Sequence, residues 1–291
     1  MYSDHNFYNY RSEASMRKLE LNEIKNRELI ILNEIDHICK QESIRYSLCG
    51  GTLLGAVRHK GFIPWDDDID IMMLRHDYEK FICYCKNNKT KFGLIDSNVN
   101  KEYGYLFSKA YDKETLIREK LMESSNLNIG VFVDIFPVDY LGDTFKEAKH
   151  ILNKTRFWRE LLVARNWECF KKSKTHGLIY EPVRLFFYII SRFYKKEKLI
   201  NRIYRINAKY NKQRRKYSGC ICGSYRNKEI MPTNVFEDYS SLLFEGTPYS
   251  VFRNFDLYLS NLYGDYMQLP SIEKRVAHHT FDCYLKEGEE V

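Results

Sequence analysis

A glycine pair, Gly50 and Gly51, stands one loop ahead of carboxylates at alternate positions, Asp66, Asp68 and Asp70. No other stretch constrains the fold as tightly. Side chains alternate between the two faces of an extended strand. The spacing therefore predicts a strand over Asp68–Met73 with its carboxylates on one face and Ile69 and Ile71 in the core. Asp66 leads into that strand, and under strict alternation Asp67 points the other way, as a surface or loop residue. Carboxylates crowded on one face repel one another unless a cation lies among them. Mg²⁺ is the expected occupant, with Mn²⁺ as the alternative, because a hard cation takes carboxylate oxygens and shares its other positions with phosphate and water. The glycines suit the same purpose. Lacking Cβ atoms, they let the backbone approach a ligand closely, and a helix over Thr52–Arg58 would turn free N–H groups towards an anion.

A further acid is expected beside this strand. The strongest β signal is Ile129–Phe136, which Pro137 is expected to end, and Asp134 interrupts it. A charge there is costly without a metal or cation partner. Asp134 is thus expected to complete a metal site with Asp68 and Asp70 or to act as base, and Asp139 is a weaker candidate. A surface-facing Asp134 is the alternative. Arg58, His59 and Lys60, with Lys109 and Arg118, suit either phosphate oxygens or solvated basic positions. Near the C-terminus, Glu245, Arg253 and Lys274 or Arg275 are candidates for lining the substrate pocket. His278 and His279 suit phosphate contact, metal binding or proton transfer, or a structural role.

Helical periodicity over residues 17–40, through Leu21, Ile24, Leu32, Ile35 and Ile38, opens the chain. Ile44–Cys49 reads as a strand and Asp77–Cys85 as a helix. Phe92–Ile95, Tyr103–Tyr111 and Thr115–Arg118 are further strands. Phe145–Phe170, Val183–Lys216 and Val251–Leu262 read as helices. The reading is an α+β fold: a mixed sheet flanked by helices in residues 1–142, followed by a mainly helical region, 143–291, that completes the donor and acceptor site.

At 291 residues the chain can bury a proper core. Its net charge of +7 favours anionic partners such as nucleotides, phospholipid head groups or phosphorylated glycans. No nucleic-acid recognition motif accompanies that charge, so nucleic acid is not an expected partner. The opening residues carry neither a basic n-region nor an apolar h-region, and no apolar run is long enough to span a bilayer. Eight cysteines without a secretion signal are expected to be reduced thiols in a cytoplasmic protein. Two Cys-x-Cys pairs, Cys83 with Cys85 and Cys220 with Cys222, are better read as thiols on structured segments than as a shared zinc site. The apolar, aromatic stretch 185–194 precedes a run crowded with Lys and Arg up to Lys216. That pairing suits either docking on the inner face of an anionic membrane or a core helix with a solvated basic face.

The stretch Leu48–Met73 resembles the signature of the LicD-type phosphotransferases, of the nucleotidyltransferase-fold superfamily and similar to the fukutin-related proteins. The resemblance extends through Val131–Pro137, Phe244–Gly246, Tyr263–Pro270, Lys274–Arg275 and His278–His279. It implies a nucleotidyltransferase-like core with metal-binding acids at Asp68 and Asp70, Asp66 beside them and Asp134 as the third strand's carboxylate. It also implies transfer of an alcohol phosphate, typically phosphocholine, from a CDP-alcohol to a cell-surface glycan such as lipopolysaccharide or teichoic acid. Rival readings are a nucleotidyltransferase that releases pyrophosphate, an Asp-x-Asp glycosyltransferase and a non-catalytic nucleotide-binding protein.

Overall fold

A computed structural model describes residues 16–119, 127–170, 177–275 and 281–286. Its first long element is helix α1 (Leu21–Gln41), entered where the Glu23 carboxylate accepts the Glu20 N–H at 3.0 Å. Its apolar stripe, Ile31, Leu32, Ile35 and Ile38, is buried on the sheet. Strand β1 (Arg17–Lys18) precedes it, and β2 (Ser47–Leu48) leads into helix α2 (Gly50–Arg58). Next come β3 (Ile69–Leu74), α3 (Arg75–Asn87), β4 (Gly93–Ile95), β5 (Ser108–Tyr111), β6 (Thr115–Glu119) and β7 (Phe132–Gly142).

Three helices follow: α4 (Phe145–Asn166), α5 (Glu181–Ser191) and α6 (Lys196–Ala208). The expected single helix Val183–Lys216 is two helices, broken after Ser191, so that each lays its own apolar side on α4. The chain then re-enters the sheets through β8 (Tyr217–Gly219), β9 (Met231–Pro232), β10 (Tyr239–Phe244) and β11 (Thr247–Phe252). Helix α7 (Phe255–Tyr263) and β12 (Phe281–Leu285) complete the described elements. The segment expected as one helix over Val251–Leu262 is thus strand β11 and then α7. A two-residue turn, Glu245–Gly246, with φ of 48° and 78°, joins β10 to β11 and explains the strand.

The principal sheet runs β10-β11-β2-β3-β7-β5-β4, with β11 parallel to β2 and β3 parallel to β7. Register places Asp70 directly beside Asp134, and Lys109 of β5 beside Asp134 on its other flank. A small separate sheet, β1-β12-β6, packs over Ile24, Val131 and Phe132. Strand β7 does not stop at Pro137. It runs to Gly142, because its partner β5 ends opposite Ile135 and β8 begins opposite Asp139. The proline lies in that interval on the β5/β8 side, while β3 continues alongside it with Met73 opposite Pro137.

The main core takes Leu32, Leu53, Ile69, Ile71 and Val133 from before Gly142, and Phe236, Phe244, Val251 and Tyr258 from after it. Helices α4–α6 enclose a second core around Ile151, Leu161, Leu199 and Ile203. Between the two lies a buried ion pair. Arg75 of α3 donates Nε and a terminal nitrogen to the two Asp139 oxygens at 2.7 and 2.8 Å, and the Asn211 amide adds a bond at 2.6 Å. Asp139 therefore braces the fold. Truncating it to alanine would leave a guanidinium buried without its counter-charge. Asp139→Ala should lower the unfolding free energy by about 3–5 kcal/mol in urea denaturation, and an unchanged midpoint would refute this role.

Candidate active site

Strand β2 delivers the chain to Gly50 at a φ of +54°, a conformation that L side chains rarely adopt. A Cβ at Gly50 would stand 3.0 Å from an Asp70 carboxylate oxygen, and one at Gly51 would stand 2.5 Å from an Asp66 oxygen. The glycine pair therefore lets two acids lie against the start of α2. Thr52 tightens the arrangement: its buried hydroxyl accepts the Asp70 backbone N–H at 2.8 Å. The Tyr258 hydroxyl accepts the Gly50 N–H at 3.4 Å from the other side.

Residues 66–68 precede β3 in irregular backbone after the Pro64–Trp65 turn. Strict alternation does not apply there, and Asp67 is buried rather than turned to the surface. Among the described residues, Asp66, Asp67 and Asp68 are the group whose carboxylate oxygens lie within 4.8 Å of one another. Burial, then the charge of Asp68, pushes the Asp66 carboxyl up to about 7. The Asp70 carboxyl is raised by the same causes, burial first and then Asp68, Asp134 and Asp66, with Lys109 opposing. Lys109 pairs with Asp134 at 2.6 Å and stands 3.4 Å above the centre of the Phe132 ring.

A cavity of about 720 Å³ opens over these acids. Asp66, Asp68 and Asp70 form its floor with Gly50 and Gly51, and Arg58 stands at its edge. Residues Tyr263–Pro270 supply much of one wall, with Trp65, Phe136 and Tyr225 around them. Arg58 donates to the Tyr266 carbonyl at 2.8 Å and to His59 Nε2 at 3.0 Å. Arg275 stacks over the Trp65 ring at 5.4 Å, close enough for its charge to lower the Arg58 pKa after burial has done so. Two guanidiniums thus stand together at one end of the cavity. A second cavity of about 850 Å³ lies around Arg75 and Asp139, whose charges already satisfy each other.

Other candidates stand elsewhere. Glu245 accepts the Phe62 N–H at 2.9 Å and fills the space beside Gly61, so it latches the loop that carries the acids. Arg253 is exposed and donates to the Tyr239 carbonyl at 3.0 Å, outside the cavity lining. The Lys274 side chain, His278 and His279 lie outside the described residues. Cys220 and Cys222 line the cavity with their sulfurs 3.3 Å apart, whereas Cys83 and Cys85 lie on α3.

Sequence reasoning missed Glu28. This α1 residue is buried, and its Oε2 has no hydrogen-bond partner among the described residues. Burial raises its pKa first, and the charges of Asp68, Asp67 and Asp66 raise it further. Its one visible signal was an acidic residue on the apolar side of α1. Glu229, raised to about 7 by burial, is a second unforeseen acid on the cavity wall.

An acid-floored cavity at the end of a mixed sheet, entered by a glycine-led helix, defines an α+β enzyme site. The family model that matches residues 43–202 is described as LicD/FKTN/FKRP, nucleotidyltransferase domain. The chain belongs to this family and is a phosphotransferase. It is 29% identical over 93% of its length to the whole lipopolysaccharide cholinephosphotransferase LicD of Haemophilus influenzae. The ribitol 5-phosphate transferase FKRP of Homo sapiens is 32% identical over 100 residues, 34% of this chain and 18% of that protein.

The raised acids make a pH prediction. An unfolded aspartate loses its proton near pH 4, whereas folded Asp66 keeps it until about 7. Between those values the folded state binds the more protons, so stability falls as pH rises. In chelator, the Asp66 contribution alone should lower the unfolding free energy by about 3 kcal/mol from pH 4 to pH 7, and Asp66→Asn should make the fall shallower. A profile that rises over this interval would contradict the assignment.

Proposed function

We propose that the protein transfers an alcohol phosphate, phosphocholine in the first instance, from a CDP-alcohol to a hydroxyl of a cell-surface glycan, with Mg²⁺ as cofactor. The observation that carries this reading is the convergence of Asp66, Asp68 and Asp70 on one cavity beside the glycine-led helix of a LicD-family chain. Lipopolysaccharide and teichoic acid are the acceptor classes in view. The reading includes a peripheral position on the inner face of an anionic membrane, where a lipid-linked acceptor would be met. Among the described residues no helix is long and apolar enough to cross a membrane.

The donor set suits a hard divalent cation: the carboxylate oxygens of Asp66, Asp67 and Asp68 crowd within 4.8 Å of one another. Asp68 and Asp70 would hold the ion with help from the neighbouring acids, and Asp134, tied to Lys109, would support Asp70 from the next strand. When bound, Mg²⁺ supplies charge neutralisation for a pyrophosphate and polarises the transferred phosphoryl group. Arg58, with Arg275 beside it, offers positive charge to the CMP phosphate. Asp66, poised near 7, accepts the proton of the acceptor hydroxyl. The acceptor oxygen forms a bond to the distal phosphorus as the bond to the bridging oxygen breaks, and CMP leaves with that oxygen. The aromatic wall of Trp65, Tyr225 and Tyr263 suits a quaternary ammonium head group. It favours choline over ribitol.

The test follows product and donor together. Purified protein with Mg²⁺ and glycan acceptor should convert CDP-choline to CMP, without pyrophosphate, faster than it converts CDP-ribitol, CDP-glycerol or CDP-ethanolamine. Asp68→Asn and Asp70→Asn should each lower the rate by about 10²–10³-fold while the fold melts cooperatively. Release of pyrophosphate, or full activity in either variant, would overturn the reading. CDP-choline should also raise the melting temperature, which separates binding from chemistry.

A further inference from the structure

Helix α5 and the residues flanking it present apolar side chains to solvent. Ile179 is 82% exposed and Phe193 80%, with Val183, Phe186 and Ile189 each about half exposed. Val183, Phe186 and Ile189 recur at intervals of three, which places them on one side of α5, and Phe193 follows in the turn just beyond it. The neighbouring helix α4 extends the patch through Val163 and Phe157, and the Phe157 ring meets that of Phe187 at 5.6 Å. Soluble surfaces rarely gather so many large apolar groups without an occupant.

Charge indicates which occupant. Residues 145–216 hold 21 Lys and Arg against five Glu and no Asp, a balance of +16 in a chain whose total is +7. The remainder of the chain is therefore at −9. Some of these cations serve the fold: Arg184 pairs with Glu181 at 2.9 Å, Arg192 donates to the Ala164 carbonyl, and Lys196 to that of Glu102. Others stand exposed around the patch, among them Lys154 and Arg156 on α4 and Lys195, Lys198, Arg202 and Arg205 beside or on α6. A second copy of the chain would set this positive surface against itself. An anionic lipid surface takes both the apolar stripe and the cations.

We infer that α4–α6 form a docking face for an anionic lipid bilayer, with Phe186 and Phe193 entering the interface and the exposed Lys and Arg pairing with head groups. This deepens the membrane partner of the proposed function, yet its observations hold whatever the protein transfers. The face is also mechanically linked to the site. Arg159 of α4 donates to the Ile221 carbonyl at 2.6 Å, between the two cysteines that line the cavity.

Flotation of the full chain with phosphatidylcholine vesicles, and with vesicles that also contain phosphatidylglycerol, tests the inference without donor or acceptor. Binding should require phosphatidylglycerol and weaken as salt rises. Phe186→Ser with Phe193→Ser, and separately Lys195→Glu with Lys198→Glu, should each weaken it by about tenfold or more, with melting temperature and CDP-choline binding retained. These side chains are exposed, so folding is not at stake. Absence of binding to anionic vesicles at low salt would overturn the inference. So would sedimentation as a dimer that the serine variant converts to monomer, which would make the face a self-interface. Retained vesicle binding in a protein that transfers nothing would overturn the proposed function alone.

Discussion

Crowding of like charge around residues 66–70 is the constraint to which much of the architecture answers. Carboxylates packed together under partial burial raise one another's proton affinity, as at Asp66 and Asp70, and tend to drive the backbone apart. The fold opposes this from several directions. Thr52 holds the Asp70 backbone, and Lys109 neutralises Asp134 on the adjacent strand. Glu245 fastens the loop that leads to the acids. The site is therefore held ready by contacts outside it, which is the condition for electrostatic catalysis without reorganisation.

Much of this was legible in order along the chain. The Asp-Ile-Asp-Ile alternation fixed β3 and its two faces, since period two has one sensible reading when isoleucines alternate with acids. Asp134 was singled out as the one charge in the expected strand Ile129–Phe136; it pairs with Lys109 and stands outside the cavity lining. Its partner was not assignable, because Lys109 reaches it only through the β5–β7 register. Asp67 was read as a surface or loop residue; it does lie in a loop, but it is buried, because alternation does not extend into that segment. Glu28 lay hidden since a helix joins the site by packing, and helical periodicity places one more acid on a face without saying what that face meets.

The second half shows where local pattern loses to tertiary context. Val251 and Phe252 sit in a run that can be read at helical spacing, yet the Glu245–Gly246 turn folds the run back as a hairpin strand against β2. Pro137 was read as a stop, but a proline ends a strand only where its N–H was needed. Glu245 and Arg253 looked like pocket residues by type. Their roles are set by what stands opposite: a loop N–H for one and a strand carbonyl for the other.

The distribution of charge ties these parts together. Asp66, Asp68 and Asp70 line the cavity, whereas residues 145–216 carry +16 and the remainder of the chain −9. Had the cations been scattered, they would have screened the acid cluster and weakened its hold on a divalent ion. With Asp66, Asp68, Asp70 and Glu229 among its lining residues the cavity is acidic, with Arg58, and Arg275 beside it, as local exceptions. An anionic donor would therefore meet positive charge at the rim and need a cation at the floor. On the proposed reading, that order of contacts would favour a donor whose charge is already balanced by a cation over the free nucleotide.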